Sequence, residues 1–158
     1  METYDREMEK HYAAWRQEGI THVIYGDIFL EDLRAYREKQ LVAANLTAIF
    51  PLWKANTRAL LDEFWQAGFK TMIVCANQKL ADFAGKILDQ VLVSRLPVDV
   101  DPCGENGEFH TFVFEGPIFR NRLKISTGET IFRTYHSPDS GEETGFFYTD
   151  IFAEDQKL

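Results

Sequence analysis

Residues 101–111 read Asp-Pro-Cys-Gly-Glu-Asn-Gly-Glu-Phe-His-Thr. Asp101, Glu105 and Glu108 bring three carboxylates into one short stretch with no Lys or Arg among them. Gly104 and Gly107 let the backbone turn tightly and take positive φ. Clustered acids repel one another unless a proton or a cation joins them, so the stretch suits ammonium, a substituted amine or a metal ion. A carboxylate here could also take a proton from ammonium and release ammonia as a nucleophile. His110 suits a proton carrier or a group that orients a substrate carboxylate. Two other readings stand beside this one. The stretch reads equally as a solvated acidic loop whose glycines only make the turn. It also offers Cys103, His110 and a carboxylate to a metal, although that spacing matches no common zinc pattern.

A second candidate precedes it. Val23-Ile24-Tyr25 reads as a buried strand ending in Gly26-Asp27. Ligands of open α/β sheets sit beyond the carboxyl ends of strands, so Asp27 is placed either to hydrogen-bond a nucleotide ribose or simply to make a turn. No GxxxxGK[ST] or GxGxxG loop accompanies it, and Ala84-Gly85-Lys86 lies inside an expected helix. Glu31, Arg34, Arg37 and Glu38 read as an exposed helix face, and Trp53 as a core or junction aromatic. Cys75 has no His nearby in sequence to activate it. His11, His22 and His136 show no partner pattern.

Hydrophobic periodicity supplies the elements that must carry these residues. Tyr4, Met8, Tyr12 and Trp15 predict a first helix stopped at Gly19. Glu31 to Ala44 predicts a second, ended by Asn45. Thr47 to Phe50 predicts a strand stopped by Pro51. Asn56 or Thr57 caps a third helix running to Ala67 and stopped by Gly68. Phe69 to Cys75 predicts a strand, and Lys79 to Ser94 a helix interrupted in composition by Gly85. This alternation implies a parallel α/β arrangement. After Pro97 the pattern changes to antiparallel strands at Phe109–Phe114, Leu123–Ile125, Thr130–Thr134 and Phe146–Asp150, with an exposed loop from His136 to Glu143.

Composition narrows the function. A formal net charge of -8 argues against a nucleic-acid or anionic-membrane surface. The two cysteines, Cys75 and Cys103, are far apart and read as reduced thiols of a cytosolic protein. No apolar run approaches the ~20 residues that span a bilayer, and the N-terminus has no signal-peptide pattern. The expected location is the cytoplasm.

The ordered set of segments resembles the diphthine–ammonia ligase family of ATP pyrophosphatases. Gly26-Asp27-Ile28-Phe29-Leu30-Glu31-Asp32-Leu33-Arg34 is similar to its Gly-Asp segment, and Phe50-Pro51-Leu52-Trp53 to its interdomain junction. Ile73-Val74-Cys75 and Leu96-Pro97 fit the domain that follows. Asp101 through Thr111 is similar to its signature loop, and Gly116-Pro117-Ile118-Phe119 continues the likeness. Gly85-Lys86 stands where the family has Gly-Arg. The likeness covers residues 1–119 and is looser beyond.

This resemblance implies an α/β fold: residues 1–53 as the C-terminal part of a parallel-sheet, HUP-like ATP-pyrophosphatase domain, then residues 54–158 as a smaller α+β domain with antiparallel strands. It implies ATP-dependent amidation of a carboxylate through an acyl-adenylate, with ATP and magnesium as cofactors of the complete enzyme. In the family the acceptor is diphthine on elongation factor 2 and the nitrogen donor is ammonium; the acceptor of this chain stays open. Gly26 and Asp27 would face the nucleotide. Glu105, Glu108 and His110 would be catalytic, and Cys103, Gly104, Asn106 and Gly107 would line the substrate side. The family's Ser-Gly-Gly-Lys-Asp-Ser phosphate loop belongs upstream of Gly26. The expectation is therefore a chain that is incomplete as a catalyst, its missing half or a homo-oligomeric partner pairing at an open sheet edge beside Val23-Ile24-Tyr25. The alternative is a non-catalytic module that binds a cationic or modified amino-acid ligand.

Overall fold

The computed structural model describes residues 2–136 and 143–154. The chain divides into two compact units, Met1–Ala55 and Asn56–Leu158.

In the first unit, helix α1 (Glu2–Gln17) lays Met8, Tyr12 and Trp15 on a small core with Val23, Tyr25, Leu41 and Leu46. It ends where Gly19 takes φ +83°. The Gly19 N–H donates to the Arg16 carbonyl at 3.1 Å and the Ile20 N–H to the Trp15 carbonyl at 3.0 Å. These two bonds close a Schellman motif, which satisfies carbonyls that the helix end would otherwise leave unpaired. Strand β1 (His22–Ile24) leads to α2 (Glu31–Ala43), which ends in the same way with Asn45 at φ +55°. Strand β2 (Thr47–Ile49) then pairs in parallel with β1, the helical crossover supplying the reversal that parallel strands need. Ile24 is 68% and Ile49 40% exposed, so this two-stranded sheet is not covered on both faces as parallel sheets normally are.

The second unit opens with α3 (Thr57–Gln66), capped by the Asn56 side chain accepting from the Ala59 N–H at 3.0 Å. Gly68 at φ +84° stops it. Strand β3 (Lys70–Asn77) is central in a four-stranded sheet of order β4-β3-β6-β5, with β4 (Phe109–Glu115), β5 (Ile125–His136) and β6 (Glu143–Ala153). All its pairings are antiparallel. The parallel arrangement expected from alternation thus holds for β1 and β2 and gives way to an antiparallel sheet from β3 onward. One face of β3 and β4 carries Ile73, Ala76 and Phe109 onto Leu61 of α3, Leu80, Phe83 and Leu92. Ile73 and Leu80 are fully buried, and truncating either to Ala is worth about 2–5 kcal/mol.

The structure corrects two elements. Lys79 to Ser94 is not one helix. A 3-10 segment (Gln78–Phe83) ends before Gly85, which takes φ +74°, and only Gln90–Val93 is α-helical, as α4. Between them the chain runs along β3: the Gly85 N–H donates to the Ile73 carbonyl, the Ile73 N–H to the Lys86 carbonyl, and the Leu88 N–H to the Thr71 carbonyl. Leu123–Ile125 and Thr130–Thr134 are likewise not separate strands. Strand β5 starts at Ile125 and takes in the second segment, continuing through a bulge between Thr127 and Thr130. The centre of the loop expected from His136 to Glu143 lies outside the described residues. No described helix is long and apolar enough to cross a membrane.

Candidate functional site

The acidic stretch lies between α4 and β4 and is built on its own backbone. Asp101 precedes Pro102, and its Oδ2 accepts from the Cys103 N–H at 3.0 Å and the Glu105 N–H at 3.1 Å. A short side chain that bonds two residues ahead is the signature of an Asx turn. The Gly104 N–H returns to the Asp101 carbonyl and the Gly107 N–H to the Gly104 carbonyl, making two successive tight turns. Gly104 has φ +72°, and a Cβ there would stand 2.9 Å from the Phe109 carbonyl oxygen, so no side chain fits without moving backbone.

Glu108 closes the loop from inside. It is 8% exposed, and its Oε1 accepts from the Asp101 N–H at 2.9 Å and from Asn106 Nδ2 at 3.0 Å. Its backbone carbonyl accepts from the Asn77 N–H, fixing the loop to the end of β3. Its Oε2 is buried and has no hydrogen-bond partner among the described residues. The mutual repulsion expected of three acids is therefore relieved in part by N–H donors: Asp101 and one oxygen of Glu108 are held by the loop itself, while the other oxygen of Glu108 is not.

Cys103 anchors the loop to α3. Its thiol donates to the Thr57 carbonyl at 3.3 Å. Burial, and after it the negative charges of Asp101 and Glu105, push its pKa up to about 12. A thiol held protonated is a poor metal ligand, and among the described residues no three His, Cys, Asp or Glu groups converge as a metal site. Glu105 is half-buried, whereas Asn106 and Gly107 are exposed. His110 is exposed on β4, directly across from Cys75 of β3, which lies in turn across from Tyr148 of β6. A cavity of about 370 Å³ adjoins the start of the loop, lined by Arg58, Ser94, Leu96, Val98, Val100 and Pro102 among others.

Gly26 and Asp27 belong to the first unit, where they follow β1. Arg37 holds the Asp27 carboxylate, with Nε 2.7 Å from Oδ2 and a second contact of 3.2 Å from a terminal nitrogen to Oδ1. The shorter contact is close without the alignment of a hydrogen bond. The Arg37 guanidinium also lies over the Tyr25 ring at 4.3 Å. Arg34 stacks on Trp53 at 4.6 Å and on Phe50 at 4.9 Å. Neither arginine is the freely solvated helix charge its sequence pattern suggests, because guanidinium groups pack well on aromatic faces. The expectation of a turn made by Gly104 and Gly107 missed the Asx turn, for which the Asp-Pro dipeptide at 101–102 is the available signal; nothing comparable links Arg37 to Asp27 ten residues away.

The fold and site define an α+β domain in which a backbone-anchored acidic loop feeds an antiparallel strand. Residues 56–139 match the family described as the Diphthamide synthase C-terminal domain, and the chain belongs to that family. It is similar to the diphthine–ammonia ligase of Danio rerio, 28% identical over 151 residues that cover 87% of this chain and 56% of that protein. It is similar also to the Homo sapiens diphthine–ammonia ligase, 25% identical over 148 residues covering 89% of this chain and 54% of that one. The chain spans about half the length of the curated relatives it matches.

Proposed function

We propose that this chain supplies the acceptor side of an ATP-dependent ligase of the diphthine–ammonia ligase kind, in which an acyl-adenylate is amidated by ammonia. The observation that carries the reading is the buried, unpartnered Oε2 of Glu108, in an acidic loop inside the family-matched region. An unpaired buried carboxylate oxygen is costly, and a donor from ammonium or a cationic acceptor would relieve the cost. Glu105 would take a proton from ammonium, leaving ammonia able to attack the activated carbonyl. Asn106 and His110 would orient the acceptor, with Cys103, Gly104 and Gly107 shaping the turn around it. Arg58, on the cavity beside Val100 and Pro102, would meet an acceptor carboxylate. Diphthine, with both a quaternary ammonium and a carboxylate, suits such a pair, and a cytoplasmic elongation factor 2 would present it.

The family enzyme's ATP and magnesium find a poor fit among the described residues. No carboxylate cluster suits magnesium, and the Asp27 carboxylate assigned to the nucleotide is engaged by Arg37. No step assigned to this chain therefore runs through them. That engagement favours a second reading, a non-catalytic module that binds the same cationic ligand.

Two measurements on the full chain separate the outcomes. A diphthine-bearing peptide binds the unaltered protein and loses affinity when Glu105→Gln and Glu108→Gln are combined. Pyrophosphate release from ATP, magnesium, ammonium and that peptide stays at background. Binding that survives the double substitution overturns both readings, and sustained pyrophosphate release overturns the claim that activation of the carboxylate lies outside this chain.

A further inference from the structure

One of the two edge strands of the large sheet is its longest. Strand β5 covers 12 residues, Ile125–His136, and nearly all are exposed. No described strand pairs with its outer edge. A long edge rich in β-branched and aromatic residues is a template for another strand, and folded proteins normally blunt such edges with Pro, charge, bulges or shortness. Thr130-Ile131-Phe132-Arg133-Thr134-Tyr135 has no Pro or Lys and a single charge, Arg133, and the one bulge lies before it, ending at Thr130. Phe132 and Tyr135 are each 45% exposed.

We propose that β5 pairs antiparallel with β5 of a second copy of this chain, about a two-fold axis centred on Phe132, joining two four-stranded sheets into one. The two-fold sets strict conditions that the sequence meets. Residues directly opposite must share a face, so Phe132 faces its own copy, Thr130 faces Thr134, and Ile131 faces Arg133. Phe132 already packs on Phe147 with ring centroids 4.8 Å apart, and the pairing would extend this couple into a row of four rings. Threonine pairs and aromatic pairs are favourable cross-strand neighbours.

Charge complementarity selects this partner over an arbitrary strand. Gly128 and Glu129 form the bulge opposite Asp150, leaving two acids adjacent on one face. Arg133 lies on that face, 6.0 Å over the Tyr148 ring, and neither it nor Glu129 has an ion-pair partner among the described residues. In the two-fold pairing, Glu129 of each copy lies diagonal to Arg133 of the other, within reach of its long side chain. The like-charged alternative, Arg133 against itself, arises only if the axis shifts by one residue.

Sedimentation equilibrium of the full chain in about 0.15 M salt, where long-range repulsion between copies is largely screened, tests the proposal. The unaltered protein forms a dimer. Phe132→Lys at the axis abolishes it. Glu129→Arg or Arg133→Glu alone weakens it by about tenfold through the two symmetric contacts, and the two reversals together restore it. Circular dichroism and thermal melting confirm that each variant keeps the fold. A monomer at the highest soluble concentration overturns the proposal, as does a dimer equally strong in all four variants.

Discussion

The two oxygens of Glu108 have different surroundings: one closes the loop and the other is buried without a donor among the described residues. The two roles separate by substitution. Glu108→Ala leaves the Asp101 N–H and the Asn106 amide without their acceptor and destabilises the second unit by about 1–3 kcal/mol, measured by urea unfolding. Glu108→Gln keeps an oxygen for both donors and removes the charge, so stability changes by less than about 1 kcal/mol while affinity for a cationic ligand falls. Cys103 gives a pH dependence with a defined sign. Its thiol pKa rises on folding from its usual value near 9 to about 12, so the unfolded chain loses that proton first. The resulting stability is complete below about pH 9 and is lost as pH climbs toward 12. Thermal melts over that interval should fall less steeply in Cys103→Ala than in the unaltered protein. The acids and the two turn glycines of this loop were legible in sequence as residue types. The direction of each carboxylate was not, because it depends on which N–H groups the turns present.

Helix ends were the most legible elements. Gly19, Asn45 and Gly68 each take the left-handed conformation that ends a helix, and each was marked by residue type alone. The segment from Lys79 to Ser94 was misread for a specific reason. Phe83, Ile87, Leu88, Val91 and Leu92 recur at spacings a buried helix would show, but the edge of β3 between Thr71 and Ile73 needs hydrogen-bond partners and takes them from Gly85, Lys86 and Leu88. Gly85 makes this route sterically open: at φ +74° a Cβ would sit 3.2 Å from the Thr149 side chain. Gly85→Ala should therefore destabilise the second unit by about 1–2 kcal/mol, read from the urea midpoint at unchanged slope. A neutral or stabilised variant would mean that the segment leaves this conformation at little cost. The bulge in β5 was equally hidden, since period-two alternation gives no sign of where one strand carries an extra residue.

The two units differ in how much core they own. The second holds its sheet on a continuous cluster that includes Leu61, Ile73, Leu80 and Phe109, whereas the buried cluster of the first is Tyr12, Leu41 and Leu46, with Ile28 buried besides. Opening should therefore be easier in the first unit, and amide exchange in β1 and β2 should outpace exchange in β3 by at least about tenfold. The change from parallel to antiparallel architecture was readable from the turn-rich composition after Pro97, but the membership of β3 in the antiparallel sheet was not, because its partners β4 and β6 lie far along the chain. The family-matched residues 56–139 include the whole acidic loop. The most direct measurement of what that loop does is a nitrogen-edited NMR titration of the full chain with a diphthine-bearing peptide. Saturable shifts centred on the amides of residues 101–110 are expected, and they are absent in the variant combining Glu105→Gln with Glu108→Gln. Shifts confined to other residues, or unchanged in that variant, would contradict this role of the loop.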